Sequence, residues 1–147
     1  MRLPKTPAWI FPGYFRCALA LGLAATCVGG MASPVVAGSA GRGYEYYQVG
    51  DVQAAAPGPV APGLMLEGGG KEVDAAFRWF VARAGHGHVV ILSASGKDEL
   101  QQYFHDDVGG MTSVQTLVFH SRRAASDPGV LDIVRHADGI FIRGGDQ

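Results

Sequence analysis

Apolar residues fall along this chain in short blocks parted by glycine-rich turns, and the blocks alternate between two periods. After Pro62-Gly63, the run Leu64-Met65-Leu66 leads into Glu67-Gly68-Gly69-Gly70, the pattern of a short strand entering a turn. From Lys71 to Ala84, the residues Val73, Ala76, Phe77, Phe80, Val81 and Ala84 recur at helical spacing, and Gly85 follows as a stop. That spacing predicts an amphipathic helix. The alternation continues with a strand over His88–Leu92, a helix from Lys97 to about His105 and a strand over Ser113–Phe119. A helix over Asp127–His136 carries Val130, Leu131, Ile133 and Val134, and a fourth strand spans Asp138–Ile142. Unbroken apolar strands alternating with amphipathic helices predict an α/β fold: a three-layer αβα sandwich, flavodoxin-like or Rossmann-like, with a parallel sheet and right-handed crossovers. Four strands make a small core for such a sheet, so residues 63–147 are expected to form the incomplete, amino-terminal part of a larger domain.

The pattern upstream is different. Arg2, Lys5 and Arg16 precede the apolar run Cys17–Val28, and small residues follow it. This is the order of an export signal spanning residues 1–37, with cleavage after Ala37 and Ala32 or Ala40 as alternatives. The apolar run is shorter than the roughly 20 residues of a membrane span, so no stable membrane anchor is expected. Residues 38–62 are rich in Gly, Ala and Pro and read as a linker. The prolines at 57, 59 and 62 exclude a helix or central strand there. Within the linker, Tyr44-Glu45-Tyr46-Tyr47 predicts a strand or loop that packs its rings on the domain edge.

Charge and cysteine usage narrow the chemistry. Among 147 residues, 12 Lys+Arg are scattered against 13 Asp+Glu, which leaves no basic patch for nucleic acid. Both cysteines, Cys17 and Cys27, fall in the export signal. An exported, processed chain would therefore carry no disulfide, no thiolate ligand and no cysteine nucleophile, and a covalent nucleophile would have to be an oxygen or an amine.

Several candidate sites can be weighed residue by residue. Gly68-Gly69-Gly70 fails the dinucleotide fingerprint, because Val73 stands where the third glycine belongs. It fails the phosphate-loop pattern as well, because Glu72 follows Lys71. What remains is a tight turn that lets backbone N–H groups approach an anion or carboxylate. Ser95, in Ser93-Ala94-Ser95-Gly96, sits between a predicted strand and a helix, but the elbow glycines are absent. It is a helix N-cap or a polar group contacting substrate. His86 and His88 could form half a metal site, yet no third ligand is spaced to join them, so no metal and no cofactor are expected. His105 with Asp106 and Asp107 reads as a charged helix end, and His120 and His136 as partly buried histidines. The segment Asp138–Gln147 runs a strand into Gly144-Gly145, a second close-approach turn at a strand's carboxyl end.

Taken in order, Tyr46-Tyr47-Gln48-Val49-Gly50, Pro62–Gly70, Val73–Phe80, Ser113–Leu117 and Phe141-Ile142-Arg143-Gly144-Gly145-Asp146-Gln147 resemble the cyanophycinase family of serine peptidases, which has the type 1 glutamine amidotransferase-like fold. Lys71 and Glu72 stand where the family has Thr and Asp. The resemblance implies that Gly144, Gly145 and Asp146 form a turn supplying an oxyanion-hole N–H. It also implies that Gln147 contacts substrate; Gly69, Gly70 and Ser95 remain substrate-binding candidates from their own turns, outside what the resemblance carries. The family's serine elbow, histidine and acidic partner lie further along than Gln147, so these 147 residues are expected to be inactive by themselves.

Two functions follow as expectations. In the first, the chain is the amino-terminal portion of an exported, periplasmic or extracellular hydrolase that cleaves peptide or isopeptide bonds through an acyl-enzyme, with homo-oligomerisation left open. In the second it is a non-catalytic secreted α/β domain that binds a small molecule or peptide on its glycine turns.

Overall fold

The computed structural model describes residues 41–144, and the export-signal reading over 1–37 lies outside them. Chain order is β1 (Tyr44–Gly50), α1 (Asp74–Arg83), β2 (His88–Ser93), α2 (Glu99–Gln102), a π-helical turn (Tyr103–Val108), β3 (Ser113–Phe119), a 3-10 turn (Arg122–Ser126), α3 (Pro128–Arg135) and β4 (Gly139–Ile142). The strands form one sheet in the order β1-β3-β2-β4. The central β2 is parallel to both β3 and β4, with Val89 opposite Val114 and Ile91 opposite Phe141. β1 is antiparallel to β3, with Tyr46 opposite Leu117. The fold is therefore α/β with a mixed sheet, which corrects the parallel sheet expected from sequence.

The side-chain period of two sorts the core onto the two faces of the sheet. On one face, Val89, Ile91 and Val114 pack with Phe77 and Val81 of α1 and with Phe104 and Val108 of the π turn. On the other, Val90 and Leu117 pack with Tyr44, Ala124 of the 3-10 turn and Val130 of α3. β2 and β3 are buried on both faces, which explains their unbroken apolar runs. α1 begins at Asp74 rather than Lys71, because Val73 is extended (φ −104°, ψ 95°). α3 begins where Asp127 caps the N–H groups of Gly129 and Val130 and Pro128 presets the first turn.

Three further expectations change. Leu64-Met65-Leu66 forms no strand, and its two leucines are 80% and 88% exposed. The tyrosine stretch expected inside a linker is β1 itself, with Tyr44 and Tyr47 buried. Residues 51–62 form neither helix nor strand, as their prolines require, but they are no free tether. The N–H groups of Asp51, Gly58 and Ala61 donate to the carbonyls of Thr112, Gly85 and Arg83 at 2.8–3.0 Å, stitching the segment to the sheet's amino end.

Candidate functional site

α1 runs opposite to β4, and this sets the geometry of everything around the site. Phe80 and Ala84, late in α1, meet Gly139 at the start of β4, where an added Cβ would lie 2.9 and 3.0 Å from them. Phe77, early in α1, meets Phe141 near the end of β4, with ring centroids 5.4 Å apart. The segment before α1 starts at the helix's carboxyl end, where Ala61 bonds Arg83. It returns at the amino end, where Val73 N–H donates to the Glu67 carboxylate at 3.1 Å. Residues 63–70 therefore travel alongside β4 in its own direction, and the Gly68–Gly70 turn arrives at β4's carboxyl end.

Between that segment and β4 lies a cavity of about 920 Å³. Gly63–Gly70 line one wall and Ile140–Gly144 the other, and Phe77, Phe80 and Leu100 form an apolar floor. Glu67, Glu72 and Arg143 contribute its charges. Gly69, Gly70 and Gly144, picked from sequence, thus share one cavity. Among the described residues, no atom beyond the chain neighbours stands within 4 Å of a Cβ placed on Gly68, Gly69, Gly70 or Gly144, so their backbones are open on that side. Gly145, Asp146 and Gln147 lie outside the described residues.

Ser95 is exposed and is not the cap of α2; Asp98 occupies that position. The Ser95 N–H donates to Ser93 Oγ at 3.3 Å, and Ser93 Oγ donates to the Ser95 carbonyl at 2.6 Å. Ser95 is absent from the cavity lining, and its hydroxyl bonds no imidazole among the described residues. The structure supplies a residue that sequence reasoning passed over as a site: Arg143. Its guanidinium sits against the Gly96 turn and 3.8 Å from Glu99, tying the loop after β2 to the end of β4. The Glu99 carboxyl is held below its ordinary value by the Lys97 backbone N–H at 2.9 Å. The signal for Arg143 was its position, the first residue past a strand whose carboxyl end faces a ligand edge.

The histidines are engaged elsewhere. His86 Nδ1 donates to the Gly110 carbonyl at 2.7 Å. His88 Nε2 faces the Ala54 carbonyl at 2.8 Å and so carries the ring proton, leaving Nδ1 to accept the Ser113 hydroxyl at 2.8 Å. This Ser–His pair has the donor order of an activated nucleophile, but Ser113 is fully buried and stands at the sheet's amino edge. It pins residues 51–62 to β2 and β3. The Asp138 carboxylate accepts the His88 backbone N–H at 2.8 Å, tying the residue before β4 to the start of β2. His105 pairs with Asp106, His120 with Glu45 and His136 with Asp132, all at the surface. No group of three or more His, Cys, Asp or Glu residues able to hold a metal occurs among the described residues. No helix among them is long and apolar enough to cross a membrane.

No protein-family model, curated protein or solved structure matches the chain.

Proposed function

We propose that this chain is the amino-terminal part of an exported cyanophycinase-like serine hydrolase. Its fold would be a three-layer αβα sandwich, and its complete form would cleave peptide or isopeptide bonds through an acyl-enzyme. One observation carries the reading: two glycine turns far apart in sequence, Gly68–Gly70 and Gly144, line one cavity at the carboxyl end of β4, the edge where open α/β sheets take ligands. The helices packed on both faces of the sheet support the sandwich. In this reading the Gly144-Gly145-Asp146 turn donates an N–H to the oxyanion, and Gly69, Gly70 and Gln147 contact the substrate. Arg143 adds a cation beside that turn. In this reading the serine and its base lie outside these residues, because Ser95 meets no base among the described residues and Ser113 is buried. The basic start and apolar run over Arg2–Val28 support export.

The test is labelling with a serine-directed fluorophosphonate, combined with turnover of α-linked and β-aspartyl peptides. It compares the 147-residue chain with the product of the coding sequence continued past Gln147. The longer product is expected to label and turn over, and the 147-residue chain to do neither. Labelling of the shorter chain that Ser95→Ala removes would overturn the assignment of the nucleophile. A longer product that is soluble, binds peptide and neither labels nor turns over would replace the hydrolase with a binding domain.

A further inference from the structure

Leu64 and Leu66 are 80% and 88% exposed, and Ile140 and Ile142 are 42% and 74% exposed. These two apolar pairs line opposite walls of the same cavity. β4 pairs with β2 on one side, and its other edge has no strand among the described residues, which leaves N–H and C=O groups unpaired. We propose that residues 63–67 are a strap that closes onto this free edge, so that Leu64-Met65-Leu66 adds to β4 as a fifth, parallel strand.

Three independent features of the chain carry this. The first is direction: the strap leaves the carboxyl end of α1 at Ala61 and rejoins its amino end at Val73. It therefore already runs with β4.

The second is handedness. β2 to β3 steps one way across the sheet through α2 and the π turn, whose Phe104 and Val108 pack on the α1 face. β3 to β4 steps the other way through α3 on the opposite face. A strap strand beyond β4 would step to β2 in the first direction, through α1 on the first face. All three crossovers would then share one hand, as crossovers between parallel strands do.

The third is side-chain alternation. Met65 packs with the α1-face core, as does Phe141. A strand with Met65 beside Phe141 turns Leu64 and Leu66 to the other face, beside Ile140 and Ile142. That register brings together the exposed pairs that now face water. Gly63 and Gly68–Gly70 bracket the strap, and a Cβ added to any of the latter three would meet no atom of the described residues within 4 Å beyond its chain neighbours, which leaves room for that turn to shift. Closure places the Gly68–Gly70 turn next to Gly144 and fills the space between strap and sheet. The ligand site then becomes the cradle formed by the two turns, rather than the cavity beneath them.

The experiment uses the full chain with Cys17 and Cys27 changed to Ser, carrying either Leu66→Cys with Ile142→Cys or Met65→Cys with Ile142→Cys. Mild oxidation is expected to close the first pair within one molecule and leave the second reduced, because Met65 faces away from Ile142. Hydrogen exchange of the unaltered chain reads the same pairing without mutation. Because only every second N–H of an edge strand reaches its neighbour, alternate amides within Leu64–Leu66 are expected to exchange about tenfold or more slowly than those of Gly68–Gly70, as paired backbone does. Unprotected Leu64–Leu66 amides, equal oxidation of both pairs, or disulfides only between molecules would each overturn the proposal, the last by making a second copy the edge's partner.

Discussion

Glu45 is held between two donors: its carboxylate accepts the Tyr47 hydroxyl and lies 3.1 Å from His120 Nε2. Both contacts favour the ionised form, so the Glu45 carboxyl is held below its ordinary 4.5, chiefly by Tyr47 and then by His120. The same bond pushes Tyr47 up to about 12. Burial, followed by the Asp74 carboxylate at 2.6 Å, does the same to Tyr103, also to about 12. The two signs differ. Glu45's contribution to stability is complete above pH 4.5 and is lost as pH falls through its depressed value. Tyr47's is complete below pH 10 and is lost as pH rises through about 12. A spectrophotometric tyrosine titration should therefore show a late step near pH 12, and Tyr47→Phe should remove part of it. A Tyr47 signal near pH 10 would mean that the Glu45 bond is not made in solution. Gln101 poses a second residue-scale question, because it is fully buried and neither its amide atoms nor the nearly buried Thr116 hydroxyl has a partner among the described residues. An unpaired buried polar group costs about 1–3 kcal/mol. Gln101→Leu is thus expected to leave stability unchanged or raise it by about 1 kcal/mol in chemical denaturation. A stability loss of about 1 kcal/mol or more would mean that the Gln101 amide is hydrogen-bonded in solution.

At the scale of elements, the sequence made legible what was apolar and continuous. β2 and β3 read directly because their Val, Ile and Leu runs are buried on both faces, and β4 read as a strand from composition although Ile140 and Ile142 are exposed. α3 read to within a residue because Asp127-Pro128 is a strong start signal. β1 was legible as an edge packing its rings, but its place in the sheet was not. Its buried residues are tyrosines set among glycines, and its antiparallel pairing depends on β3, over sixty residues away. The π turn at Tyr103–Val108 was hidden because its Phe104 and Val108 fit helical spacing well enough. Leu64–Leu66 has strand composition without a strand partner in the described state, and composition alone cannot supply one. The tight approach of α1 to β4 yields a prediction at this scale. Gly139→Ala would put a methyl group 2.9 Å from the Phe80 ring and 3.0 Å from the Ala84 Cβ. It should cost about 1–3 kcal/mol by forcing helix and strand apart, read as a lowered urea midpoint. An unchanged midpoint would mean that the helix slides without cost. Asp127→Ala, which removes the α3 cap, should cost about 1 kcal/mol in the same assay.

Across the whole molecule, the glycines that line the cavity, Gly68–Gly70 and Gly144, were legible as turns because they follow apolar runs. The cavity they share was not, because it depends on α1 lying antiparallel to β4 and on Phe77, Phe80 and Phe141 forming one aromatic floor. That floor belongs to one of two cores separated by the sheet, and the separation can be measured. Phe77 is 1% exposed in the α1-face cluster and Val130 is 3% exposed in the α3-face cluster. The clusters have no member in common, so the two residues meet only through β2 and β3. Phe77→Leu should cost about 1 kcal/mol, and Val130→Ala about 2 kcal/mol from two lost methyl groups and a small cavity. With no shared partner, the double variant should lose their sum to within about 0.5 kcal/mol, in one cooperative urea transition. Two separate transitions would mean that the faces unfold independently and that the sheet does not couple them. A shortfall well beyond 0.5 kcal/mol would mean that strain passes through the sheet. In that case a change at the β4-edge cavity, which Phe77 lines, would be felt at α3 on the opposite face.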